Sequence, residues 1–514
     1  MTSRLGSLAA ALAASRGATG FTARLAALSY GRAVALITAV GAVLRFAIIA
    51  RQPLGYDEDF TAYVVHQPVG HMIDIVAHDS APPLFYLVDR AAVVVADALG
   101  LASFGSPGGP VALRFVPTLA GIAVIPLLAA LARRVGGDRA GIWAAAFAAF
   151  VPTTVMLSGF VRMYGLASTL AVASALLLWR AVEKPSTARW VLYAAAAAAA
   201  VWTDYFSAVA LAGIFAAALW LRPGWRNAAA AFVSTALAVG SIAPWLYLAR
   251  AQFEHTGQGF WVAPLSMSVF GGTSFQLFMG PPIDWGLPFG MVLVVLQWVA
   301  VMAGFAALGW AAIAWLRLDP AGRKAAIYCL LAAGGVALLA AVSIWRPVLD
   351  ARYASVMWLP LFALVGVGLA AMPRRVATLL LVAVAVPTLA LGVTTTHRET
   401  STMIPQLDAQ VGPHDLAAAE WDHYLILLDE TSPAVQSRLH VLSTVDLPWY
   451  LGTAAYPAGA VVHDIPADVI ANNGRIFWVA DPGVPAPILP PGYRSEEIRC
   501  AIEVCLTIYG SAGG

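Results

Sequence analysis

Three acids in a row, Asp57, Glu58 and Asp59, open a polar stretch in an otherwise apolar chain. The stretch runs from Gly55 to Leu87 and also holds Asp74, Asp79, His66, His71 and His78. A carboxylate beside an apolar wall serves as a general base, taking the proton from a hydroxyl as its oxygen attacks a carbon. A second carboxylate orients the first or holds a metal. Ionisable groups at a membrane edge are costly when left unpaired, so they need a role. The plain alternative is a solvated cluster that caps a helix. On the acids alone that alternative is favoured, because short motifs have low specificity.

The elements that must position these acids follow from composition. The chain has 514 residues, 60% hydrophobic and 11% charged, with a mean hydropathy of +0.77. A soluble domain carries roughly 25% charged residues, so this is a polytopic membrane protein. The net charge is +2, and no basic tract suits nucleic acid. Residues 1–30 carry Arg4, Arg16 and Arg24 without a compact apolar core and cleavage site, and read as a cytoplasmic leader.

Apolar runs at 31–50, 111–132, 140–157, 162–181, 190–203, 206–221, 228–248, 286–316, 325–345, 353–372 and 376–394 are candidate spans. The run 82–103 is interrupted by Asp89 and Arg90. If it lies along the outer interface, the basic clusters at Arg133–Arg139, Arg180–Arg189, Arg222–Arg226, Arg317–Lys324 and Arg374–Arg375 all fall inside. If it spans, they fall outside, against the positive-inside rule. The expectation is therefore about eleven spans, N-terminus in and C-terminus out. Helices 190–203 and 206–221 are short and meet at Asp204 and Tyr205, read as a buried outer turn; the alternative is a single long tilted helix, which would invert the orientation of everything after it. Arg51, Arg90, Arg162, Arg250, Arg346 and Arg352 then stand on the outer side, as anion-binding candidates or as snorkelling side chains.

From residue 397 the composition turns mixed, with Pro and Gly punctuation. Leu439–Thr444, Ala460–Ile465, Arg475–Ala480 and Leu506–Gly510 read as strands, and Leu416–Leu428 as a helix. The fold class is an all-α polytopic membrane protein (residues 31–396) with a small C-terminal extracytoplasmic α/β domain (397–514). The first extracytoplasmic loop, 51–110, carries the acids. Cys500 and Cys505 would pair in an oxidising compartment, stapling a local turn. Cys329 lies in an apolar run.

Further motifs follow in order: His78-Asp79-Ser80-Ala81-Pro82-Pro83-Leu84-Phe85-Tyr86, Leu113-Arg114-Phe115, Arg162-Met163-Tyr164-Gly165, Phe260-Trp261 and Asp350-Ala351-Arg352-Tyr353. Pro82-Pro83 fixes a helix start. This set, in this order and on one membrane side, resembles the GT-C glycosyltransferases. The branch is the protein O-mannosyltransferase-like one that includes the lipid A aminoarabinose transferase. The resemblance covers roughly residues 31 to 395, and the tail matches only loosely.

The resemblance implies an inverting transfer of a sugar from a polyprenyl-phosphate donor to an acceptor at the outer membrane face. It makes Asp57 the catalytic base and Glu58 its support. It gives Arg352, Tyr353 and Arg162 to the donor phosphate. It places Asp59, His78, Asp79, Tyr86, Tyr164 and Trp261 at the substrate cavity. No cofactor is required by these residues, and a divalent metal is left open. The turn Ser158–Gly165 lacks the second acidic pair of the metal-dependent oligosaccharyl branch. His66, His71 and His78 match no compact ligand spacing and read as solvated or structural. The Ala- and Arg-rich composition points to a G+C-rich bacterium and its cytoplasmic membrane. Mannose or arabinofuranose then lead as the sugar, with an envelope glycolipid, polysaccharide or protein as acceptor. The competing class is a polyprenyl-lipid transporter. Against it, the acids sit at the membrane edge and no internal repeat is evident.

Overall fold

The computed structural model describes residues 29–50, 54–101, 109–255, 261–280, 290–391, 400–501 and 504–511. Each of the eleven apolar runs is helical within those residues. Six helices are long and apolar enough to cross a membrane: Tyr30–Ile49, Phe115–Phe150, Tyr164–Glu183, Trp225–Leu248, Gly290–Trp315 and Pro320–Val342. The pair Ala351–Trp358 and Pro360–Ala371 is long and apolar enough only when taken together, as a broken span or a re-entrant loop bent by 64° at Pro360. Phe115–Phe150 is two helices joined at Gly136 and Gly137, so it holds two of the expected runs. Gly137 has φ +73°, a left-handed conformation that favours glycine. Thr187–Thr203 and Ser207–Leu221 are short, at 17 and 15 residues. Asp204 parts them: its Oδ1 accepts from the Phe206 amide at 2.7 Å and turns the chain. Large apolar side chains such as Val43, Leu237, Met291, Met302 and Leu379 stand exposed on the helices, as a lipid-facing belt requires.

Arg45 is buried in the first helix, with its guanidinium fully used. It donates to the carbonyls of Ala148 and Ala149 at 3.0 Å each, to Gly41 at 3.1 Å and to Ser158 Oγ at 2.8 Å. A cation therefore meets the free carbonyls at the end of Phe115–Phe150 and ties the first helix to that bend. The helix Leu84–Ala98 has 15 residues and starts directly after Pro82-Pro83. Its Asp89 is buried, and burial pushes its carboxyl well above the usual range.

The C-terminal residues form a six-stranded sheet of order β3-β2-β1-β4-β6-β5. The strands are β1 Leu416–Ala419, β2 Leu439–Leu442, β3 Val461–Val462, β4 Ile476–Ala480, β5 Tyr493–Cys500 and β6 Cys505–Ser511. The first four run parallel, and β6 and β5 add antiparallel to β4. Cys500 and Cys505 face each other across β5 and β6 and are joined by a disulfide.

The expected helix at Leu416–Leu428 is corrected. Its first four residues are central strand β1, and only Tyr424–Glu430 is helical. All four β1 residues are buried, so no alternation marks the strand, and alanine suits either state. The domain boundary expected at 396/397 lies outside the described residues.

The sheet domain docks directly on the helix Tyr56–His66. The Tyr56 hydroxyl donates to the Leu451 carbonyl, and its ring meets Trp421 edge to face at 4.6 Å. Gly452, at φ +65°, lies against the Phe60 ring, where an added Cβ would come within 2.8 Å. The turn and the close approach both require glycine.

Candidate active site

The acids stand on the first turn of Tyr56–His66, where a helix N-terminus favours negative charge. Successive residues on a helix point about 100° apart, so Asp57 and Glu58 face different surroundings. Asp57 faces a cavity of about 260 Å³. Glu58 faces the bundle. It takes three contacts from Arg114 at 2.9–3.2 Å, the Val161 amide at 3.0 Å and the Gly55 amide at 2.8 Å. Glu58 thereby fixes the helix start to the loop 160–163 and to the motif Leu113-Arg114-Phe115.

Arg352 forms the opposite cavity wall. Its Nη1 donates to Asp57 Oδ2 at 2.7 Å. Asp350 caps the helix Ala351–Trp358 and aims the arginine, accepting from its amide at 2.8 Å and from its Nε at 3.3 Å. The Trp261 ring lies under the guanidinium at 4.3 Å. Tyr353 stacks on Phe206 at 4.3 Å. Arg352 also borders a second cavity, lined by Thr153, Met156, Phe160, Gln276, Ser355 and Trp358 among others.

Arg162 and Tyr164 enter the first cavity from the turn before Tyr164–Glu183. Arg162 is buried over the Phe60 ring at 5.6 Å. Asp79, the C-cap of Val69–His78, lines the cavity, and burial pushes its carboxyl up. Asp204 lines it as well. Burial pushes Asp204 up to about 6, against the Phe206 amide and the Arg162 charge, which pull it down. A hydrogen-bonded floor joins these loops. Trp245 Nε1 donates to Tyr205 Oη at 2.8 Å, Tyr205 Oη to Gln252 Oε1 at 2.7 Å, and Gln252 Nε2 to the Val76 carbonyl at 2.6 Å.

Asp57, Asp79, Arg162, Tyr164, Trp261, Arg352 and Tyr353 thus share one cavity. Asp59, His78 and Tyr86 do not line it, which corrects their expected places there; Glu58, expected as the support of Asp57, does not line it either. Asp59 and Tyr86 are buried behind the wall. His78 is half exposed, with Nδ1 2.9 Å from the Asp74 carbonyl. His66 Nδ1 is 2.6 Å from the Ala62 carbonyl, so these rings serve their own helices.

Of the six arginines, Arg162, Arg346 and Arg352 reach the cavity. Arg90 instead holds the carbonyls of Val65 and Gln67 at 2.5 Å, capping the Asp57 helix. Arg250 meets Tyr247 instead, donating to its carbonyl at 3.5 Å and lying over its ring at 5.6 Å. Arg51 lies outside the described residues. The sequence reading missed Gln252, Trp449 and Tyr450 as wall residues. It placed Asp204 at a turn without giving it to the site. An acid between two apolar runs was the available signal. For Trp449 and Tyr450, far along the chain in the sheet domain, there was none.

The chain is an apolar helix bundle with an acid after its first helix, an arginine facing that acid, and a sheet domain packed at the same end. Residues 98–248 match the family model Dolichyl-phosphate-mannose-protein mannosyltransferase. The chain is similar to ArnT from Cupriavidus metallidurans bound to undecaprenyl phosphate, at 16% identity and TM-score 0.58, covering 94% of this chain and 98% of that one. The apo state of that protein gives 15%, 0.58, 93% and 98%. The apo Archaeoglobus fulgidus oligosaccharyltransferase gives 12% identity, TM-score 0.50, 87% of this chain and 69% of that one. No curated protein matches the chain by sequence. At these identities the structural likeness is one of fold.

Proposed function

We propose that this protein is an inverting glycosyltransferase that takes a sugar from a polyprenyl-phosphate donor. The observation that carries the reading is the Asp57–Arg352 pair, 2.7 Å apart on a cavity wall. One member is a base for a hydroxyl, and the other is a guanidinium suited to phosphate. The ArnT structure holding undecaprenyl phosphate supports a lipid-phosphate donor here.

The donor phosphate binds Arg352, with Arg162 and Arg346 nearby, and takes Arg352 from Asp57. Asp57 is then free to accept a proton. The acceptor hydroxyl oxygen attacks the anomeric carbon as the carbon–oxygen bond to phosphate breaks. The hydroxyl proton passes to Asp57, and the bonding pair leaves with the polyprenyl phosphate. Attack from the face opposite the leaving group inverts the anomeric centre. Tyr353, Tyr164 and Trp261 offer ring faces to the sugar. Glu58 acts through position, by holding the helix that carries Asp57.

The basic-residue bias supports an orientation with this cavity and the sheet domain on the outer side of a bacterial cytoplasmic membrane. Mannose or arabinofuranose is the proposed sugar, and an envelope glycolipid, polysaccharide or protein the acceptor. Purified protein mixed with polyprenyl-phosphate sugars and acceptor is expected to release polyprenyl phosphate. Lipid crossing the bilayer with no such release would instead identify a transporter.

A further inference from the structure

A second group of titratable side chains gathers away from the cavity, at the carboxyl ends of two neighbouring parallel strands. β1 ends at Ala419 and β4 at Ala480. The loops that follow carry Asp422, His423 and Asp481. Open sheets with parallel strands collect ligands at this edge.

His423 is fully buried. Its Nε2 lies 3.3 Å from Asp481 Oδ1 and 3.7 Å from Asp422 Oδ1. One ligand atom from each residue falls within 4.8 Å of the others. The other ring nitrogen, Nδ1, lies 2.9 Å from Thr400 Oγ1. A metal-binding imidazole is commonly held this way, with one nitrogen fixed by a neighbour and the other turned to the ion. Ligands bonded to zinc at about 2.0–2.2 Å in a tetrahedron stand about 3.4 Å apart. The two imidazole–carboxylate separations bracket that value.

We infer that Asp422, His423 and Asp481 bind one divalent transition-metal ion of the zinc class, with water completing its shell. Imidazole with carboxylates suits such an ion better than magnesium or calcium, which prefer all-oxygen sets. The ion joins three separate stretches of chain: the loop after β1, the loop after β4 and, through the imidazole, Thr400. Trp421, next to the site, is the residue that packs on Tyr56. The ion therefore stiffens the sheet domain's grip on the helix that carries Asp57. This inference does not rest on the sugar-transfer reading.

The test uses tag-free full-length protein in detergent, stripped with a chelator and titrated with zinc chloride by calorimetry. Bound zinc is counted after desalting. One equivalent is expected. Asp481→Asn, at a half-exposed position that tolerates change, is expected to weaken binding at least about tenfold, and Thr400→Val roughly ten- to hundredfold. A triple Gln replacement of His66, His71 and His78 is expected to keep the full equivalent. No bound zinc would overturn the inference. Stoichiometric binding unchanged in both Asp481→Asn and His423→Gln would overturn it as well.

Discussion

Asp57 and Glu58 are chain neighbours, and each meets an arginine, yet the two pairs are built to opposite ends. Glu58 and Arg114 have side chains 7% and 1% exposed, with several contacts between them. Two backbone amides occupy the carboxylate further. That pair is closed to competitors. Asp57 and Arg352 are 34% and 31% exposed and share one contact. Both face the cavity, so a phosphate can displace one from the other. One step along a helix separates the closed pair from the open one.

Breaking the closed pair is expected to have the largest effect on stability. Arg114→Met strands a buried carboxylate and is expected to cost roughly 3–5 kcal/mol, read as a fall in Tm in detergent. Arg114→Met combined with Glu58→Leu is expected to recover part of that loss. An unshifted Tm in Arg114→Met would place the two pairs in one class.

The open pair is expected to answer in binding instead. Arg352→Ala is expected to weaken donor affinity roughly ten- to hundredfold with little change in Tm. Unchanged apparent donor affinity would move the phosphate site towards Arg346 or Arg162.

Asp204 sharpens the same contrast through pH. With its carboxyl raised to about 6, it is neutral below that pH and anionic above it. A new negative charge in the cavity repels phosphate, so donor affinity is expected to fall as pH rises through about 6. The step is expected to be roughly severalfold and to vanish in Asp204→Asn. A wild-type step that persists in Asp204→Asn would assign it to another group.

The smallest effect is expected at the domain contact. Tyr56→Phe removes the hydroxyl donated to Leu451, at a cost of about 1 kcal/mol. Faster proteolytic release of the sheet domain would report it, and an unchanged rate would show that ring packing alone holds the contact.

The helical bundle was legible because apolar runs of span length have few other readings, and Pro82-Pro83 and Asp350 mark helix starts locally. The cavity acids and Arg352 were legible because charge is rare in this chain. The division between Asp57 and Glu58 was not, since it depends on helix phase and on Arg114 and Val161, distant in sequence. Arg45 drew no notice, because nothing near it announces the carbonyls of Ala148 and Ala149. Strand β1 was hidden by its own burial. Trp449 and Tyr450 reach the cavity only because the sheet domain docks where it does.

The central claim is that Asp57 does chemistry while Glu58 holds the frame. Asp57→Asn and Glu58→Gln, prepared side by side, each need a turnover rate and a Tm. The account predicts that Asp57→Asn keeps its Tm and loses at least roughly hundredfold in polyprenyl phosphate release. It predicts that Glu58→Gln lowers the Tm and, once folded, loses less turnover. Near wild-type release from Asp57→Asn, with Glu58→Gln inactive at an unaltered Tm, would contradict it.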